Sequence, residues 1–142
     1  MSKHCSRVLP WLYLGDRKAA KDKKLLRKLG VVRVVNATPP RSVDRVAGVP
    51  NYFESDHAIR YLRCAVYDNT TGDLLSHLDK CVRFIVSGRH YGSVLVHCAR
   101  GVSRSATIVA AYLIYAKSLS ASEAVHTVKL ARSVAKPNPS FI

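Results

Sequence analysis

The run Val94-Leu95-Val96-His97-Cys98-Ala99-Arg100-Gly101-Val102-Ser103-Arg104-Ser105, continued by the apolar stretch Ala106 to Ala116, constrains the fold more than any other part of the chain. A short β-branched run, a loop with one cysteine and one arginine, and a long run of helix formers predict a strand over 93–97, a tight turn and a helix over 104–117. That order creates an anion site. Backbone N–H groups of a first helical turn have no intrahelical partner, and the aligned peptide dipoles leave partial positive charge there. A tetrahedral oxyanion fits such a cradle.

Cys98 lies at the base of this loop, where the same N–H groups and a nearby guanidinium favour its thiolate, the nucleophilic form. Arg104 supplies a planar, permanently charged fork that can hold two phosphate oxygens at once. The pair suggests covalent attack on phosphorus followed by hydrolysis. The backbone of Ala99, Arg100, Gly101, Val102, Ser103 and Arg104 is expected to line the phosphate, with Gly101 permitting the turn. No cofactor is called for by this chemistry.

His97-Cys98-(five residues)-Arg104-Ser105 resembles the signature of the cysteine-dependent protein tyrosine phosphatases. The Ser-Arg-Ser ending and the following Ala-Thr-Ile-Val-Ala-Ala-Tyr-Leu resemble its dual-specificity branch, in the atypical group that lacks a kinase-binding domain. Val8 to Gly15 is similar to the opening of those domains, and Arg132 to Phe141 to their Arg-Pro-x-x-x-Pro-Asn-x-x-Phe element. The resemblance implies a single α/β domain over 1–142, built on a central, mostly parallel twisted sheet flanked by helices. It also implies that the Ser105 hydroxyl assists the departing thiolate, that His97 supports the loop, that Asn36 is scaffold and that Asn138 braces the phosphate loop. Family members generally continue into one more helix after the element ending at Phe141, so 1–142 is expected to lack it.

At 142 residues the chain is long enough for one well-formed core. With 48% hydrophobic residues, no apolar run of membrane length and no signal-peptide pattern, it reads as a soluble protein without a transmembrane segment. The expected location is cytoplasmic, with the nucleus as the alternative. Cys5, Cys64, Cys81 and Cys98 show no paired-ligand spacing, so no metal site or disulfide framework is expected. Cys64 and Cys81 read as core residues, or one of them as a partner for an oxidised Cys98. A net charge of +14 favours anionic partners, whether phosphoproteins, phosphoinositides or nucleic acid, and does not choose among them. Nucleic acid is not expected as a partner, since no aromatic–basic interleaving is present.

Along the chain, Val8 to Gly15 predicts two short β pieces broken at Pro10. Asp16 suits an N-cap for a helix reaching Leu29, with Gly30 as its C-cap and Lys18, Lys21, Lys24 and Lys28 on a solvated face. Val31 to Asn36 predicts a buried strand, 37–59 an irregular connection, and Tyr61 to Val66 another strand. A helix with Leu74, Leu78, Cys81, Val82 and Ile85 on one face then ends near Gly88, and Ser120 with Glu123 forms a capping box for a last helix.

Cleaving a phosphate ester requires a proton for the departing oxygen. Asp68 and Asp73 both lie in the polar stretch before the helix. Asp73 stands where a first-turn acid belongs, whereas Asp68 has no such structural reason to be there, and the family's spacing matches Asp68 as the general acid.

Three function classes follow. The first is a phosphatase acting on phosphotyrosine and phosphoserine/threonine in proteins. The second keeps the chemistry but takes a phosphoinositide or an RNA 5′-phosphate; the loop lacks the several lysines of the lipid enzymes and the Thr-Gly ending of the RNA-directed branch. The third is a non-catalytic phosphoprotein-binding module, a class usually marked by loss of the cysteine or arginine present here.

Overall fold

Alternation along three strands decides how the layers form. In β2 (Leu12–Gly15), β3 (Val31–Asn36) and β5 (Ser93–His97), successive side chains leave opposite faces. Leu12, Leu14, Val35, Val94 and Val96 join one buried cluster, and Tyr13, Val34 and Leu95 join another. Both faces are apolar, so both must be covered.

A computed structural model describes residues 3–64 and 71–137, the side chains of 71–76 excepted. Two short helices, α1 (Arg17–Lys21) and α2 (Lys23–Leu29), cover one face with Ala19, Ala20 and Leu26. The other face is covered by α3 (Thr71–Gly88), α4 (Arg104–Lys117) and α5 (Ala121–Ala131). Cys81, Ile85, Ile108, Tyr112, Leu113 and Val128 are buried there. With β1 (Cys5–Leu9) and β4 (Arg60–Arg63) the sheet runs β1-β2-β5-β3-β4. Among the described residues β1–β2 is the one antiparallel pair and the other three pairs are parallel, so the expected α/β architecture with a mostly parallel sheet is what is found.

Register then gathers the loops. Gly15 and Asn36 both lie opposite His97, and Arg63 lies opposite Asn36. The carboxyl ends of four strands therefore share one rim, the place where open parallel sheets bind ligands.

The sequence predicts one helix over 17–29, whereas the structure has two, parted at Asp22. The Asp22 backbone is extended and its carboxylate accepts from the Leu25 N–H at 3.0 Å, capping α2. A short acidic side chain in mid-segment offers the backbone this alternative to helix continuation. Asp16 caps α1 as expected, accepting from Lys18 N and Ala19 N, and Gly30 closes α2 in the left-handed region at φ 70°. The strand expected over 61–66 is β4; positions 65 and 66 lie outside the described residues. The Ser120–Glu123 capping box is present in both directions, at 3.1 and 2.8 Å.

Candidate active site

The loop from Cys98 to Ser103 leaves the central strand β5 and enters α4, and its peptide groups are oriented from outside. Ala99 O accepts from Arg17 N at 3.1 Å and Val102 O from Lys136 N at 2.6 Å. Gly101 O accepts from Arg132 Nε at 2.9 Å and Arg100 O from Arg132 Nη2 at 3.4 Å. In a planar trans peptide the N–H points opposite to the C=O. With these four carbonyls turned onto the framework, the N–H groups of Arg100, Gly101, Val102 and Ser103 turn to the inside of the loop.

Inside stands the sulfur of Cys98, a residue 5% exposed. The Gly101 N–H donates to it at 3.1 Å, and Ser105 Oγ lies 3.0 Å from it. Gly101 has φ +68°, and a Cβ there would lie 2.8 Å from Gly15 O and 3.0 Å from Arg132 Nη2. Glycine is required both for the backbone angle and for the close approach. Arg104 opens α4 and lines, with Cys98, Ala99, Arg100, Val102 and Ser103, a cleft of about 220 Å³. Of the predicted loop residues, all but Gly101 line this cleft, and Gly101 meets Cys98 through its N–H.

Ala47 completes the lining. It is delivered by the long connection after β3, which hangs on Asn36: Nδ2 donates to Val49 O at 2.7 Å and to Asn51 Oδ1 at 2.8 Å, while Oδ1 accepts from Thr38 Oγ1 at 2.7 Å. Arg63, at the end of β4, donates to Thr38 O, Pro39 O and Val49 O. Asp44 closes the turn before Ala47 by accepting from the Val46 and Ala47 N–H groups, which holds its carboxyl below the usual range. Asn36 has the scaffold role expected of it. Arg63 was not singled out by the sequence, because its use depends on register with Asn36 across two strands.

His97 lies behind the loop, fully buried, with Nδ1 3.5 Å from Cys98 O and no partner for Nε2 among the described residues. Burial lowers its pKa to about 4, so the ring is neutral at physiological pH. Asp68 and Asn138 lie outside the described residues. Asp73 falls in the first turn of α3, where its side chain is not described.

Other clefts carry different chemistry. A hollow of about 650 Å³ beside β1 and the end of α5 contains Cys5, but burial pushes that thiol up to about 11, so it stays protonated at neutral pH. The Cys81 thiol is pushed upward by its contact with Cys64 and by burial. Among the described residues no His, Cys, Asp and Glu cluster is placed to hold a metal ion, and no helix is long and apolar enough to cross a membrane.

The family description "Dual specificity phosphatase, catalytic domain" matches residues 12–142. The chain belongs to that family. Human dual specificity protein phosphatase 26 is 40% identical over 141 residues, covering 98% of this chain and 64% of the relative. The chain thus spans under two thirds of that relative's length. Human dual specificity phosphatase 28 is 38% identical over 136 residues, 95% of this chain and 72% of the relative. A crystal structure of human DUSP28 superposes with a TM-score of 0.77 at 35% identity, covering 99% of this chain and 89% of that one. For a dual specificity phosphatase domain, the feature that sequence reading undervalued is Arg132, recognised only as part of a motif. Its bonds reach across thirty-one positions to Gly101, and no local pattern announces them.

Proposed function

We propose that this chain is a protein phosphatase that hydrolyses phosphotyrosine and phosphoserine/threonine through a cysteinyl-phosphate intermediate. The observation that carries the reading is the Cys98 sulfur set inside a loop whose peptide N–H groups face inward, with Arg104 on the same cleft.

In the first step the Cys98 thiolate forms an S–P bond as the P–O bond to the substrate's oxygen breaks, and Asp68 gives that oxygen its proton. The inward N–H groups and the Arg104 fork hold the three non-bridging oxygens, whose charge is greatest in the transition state. In the second step water attacks phosphorus, Asp68 takes its proton back, and the S–P bond breaks to release phosphate and the thiolate. Ser105, within hydrogen-bond reach of the sulfur, stabilises the thiolate as it leaves.

Phosphoproteins are the substrates that family membership favours, and the +14 charge suits any anionic substrate. A panel of phosphotyrosyl and phosphothreonyl peptides, phosphoinositide vesicles and RNA with a 5′-phosphate tests this. The reading expects the highest kcat/KM on the peptides. Higher kcat/KM on the vesicles or on RNA ends would move the substrate class while keeping the chemistry. Phosphopeptide binding without turnover would make the domain a binding module.

A further inference from the structure

A buried cation, Arg132, stands behind the phosphate loop. Arg132 directly follows α5 and is 5% exposed. Besides its bonds to Gly101 O and Arg100 O, its Nη1 donates to Lys3 O at 2.9 Å and to Ser6 Oγ at 3.2 Å. All four acceptors are neutral, and no carboxylate is paired with it among the described residues. A buried charge without a counter-ion is costly, and a neutral donor could tie these segments together with less desolvation.

The position of the charge accounts for its use. Arg132 Nη2 touches Arg100 O, and the same peptide group presents the Gly101 N–H to Cys98 Sγ at 3.1 Å. Arg132 Nε touches Gly101 O, on the peptide group that carries the Val102 N–H opposite it, and Val102 lines the cleft. A cation on a carbonyl polarises the whole amide and strengthens the N–H on its far side. Two peptide groups thus connect the guanidinium to the sulfur and to the anion cleft.

We propose that Arg132 is a positioning residue for bound phosphate, fixing and polarising the 100–101 and 101–102 peptide groups whose N–H atoms face Cys98 and the cleft. This deepens the phosphatase reading and rests on it for the identity of the anion.

The test uses Arg132→Met, Arg132→Lys and Ser6→Ala in the full chain, each checked by circular dichroism and thermal melting. Inorganic phosphate is titrated by calorimetry, and kcat and KM are measured on an aryl phosphate. The expected result is a phosphate Kd raised about tenfold in Arg132→Met and about threefold in Arg132→Lys, a scale set by loss of charge-assisted hydrogen bonds. KM should rise with it. Ser6→Ala, which loosens only the tie to β1, should lower the melting temperature and leave phosphate Kd unchanged. If Arg132→Met fails to fold, Arg132→Lys decides: a Kd equal to wild type overturns the inference. A folded Arg132→Met that binds phosphate like wild type overturns it too. Should the wild-type chain bind phosphate yet hydrolyse no ester, the phosphatase reading fails while the Kd comparison still decides the role of Arg132.

Discussion

Ser105 Oγ lies 3.0 Å from Cys98 Sγ, on the first turn of the helix that the nucleophile's loop enters, and both groups are buried. A hydroxyl there can donate to a thiolate, whereas in an in-line displacement the leaving oxygen departs on the side of phosphorus opposite the sulfur. Its effect should therefore fall on the second step, when the thiolate departs. Ser105→Ala is expected to lower kcat on an aryl phosphate by about tenfold, the scale of one charge-assisted hydrogen bond. Stopped-flow traces should then show a burst of the released phenol, which distinguishes slow hydrolysis from slow attack. A loss of kcat with no burst would place Ser105 in the first step.

In the proposed mechanism Asp68 supplies the proton for the departing oxygen, and Asp73 stands in the first turn of α3. Asp68→Asn should depress kcat by about a hundredfold or more, within the range of general acid catalysis, with a smaller effect on substrates whose leaving group needs no proton. Asp73→Asn should leave kcat within a fewfold of wild type. The reverse ranking in steady-state assays would transfer the acid role to Asp73.

Gly101 is constrained on two counts, its φ of +68° and the 2.8 Å that would separate a Cβ from Gly15 O. Gly101→Ala should cost about 1 kcal/mol or more from backbone strain alone. It should also displace the carbonyl that Arg132 holds. Denaturant unfolding and a phosphate titration on the same sample check this, and unchanged phosphate affinity would show that the loop tolerates the shift.

His97 contributes a pH dependence of known sign. Burial lowers its folded pKa to about 4, against about 6.5 unfolded, with Arg63 acting in the same direction. Between those values the unfolded chain binds a proton that the folded one does not, so stability rises with pH. Its contribution is complete above about pH 6.5 and lost as pH falls toward 4, on the order of 3 kcal/mol at most. Unfolding free energies measured across that window should fall less steeply in His97→Gln than in wild type; equal slopes would contradict the buried neutral ring.

Much of this architecture was legible because it is local. The β-branched runs at 31–36 and 93–97, the cap at Asp16, the box at Ser120 and the loop-to-helix passage at Cys98 are each encoded within a few residues. Asp22 escaped notice because it sits in a stretch with continuous helical periodicity, where a capping side chain competes with the pattern. The bonds of Arg63 and Arg132 were not legible for a different reason. Their acceptors lie on other segments, and only the register of β3 with β4, and the packing of α5 against β1, bring donor and acceptor together.

In the proposed mechanism Cys98 carries the phosphoryl group. Rapid quench of the wild-type chain into alkaline detergent during turnover of a radiolabelled aryl phosphate, followed by peptide mapping at alkaline pH, should recover the label on the peptide containing Cys98 as a phosphocysteine, and Cys98→Ser should show neither label nor turnover. Turnover retained in Cys98→Ser, or label recovered on another residue, would contradict the account.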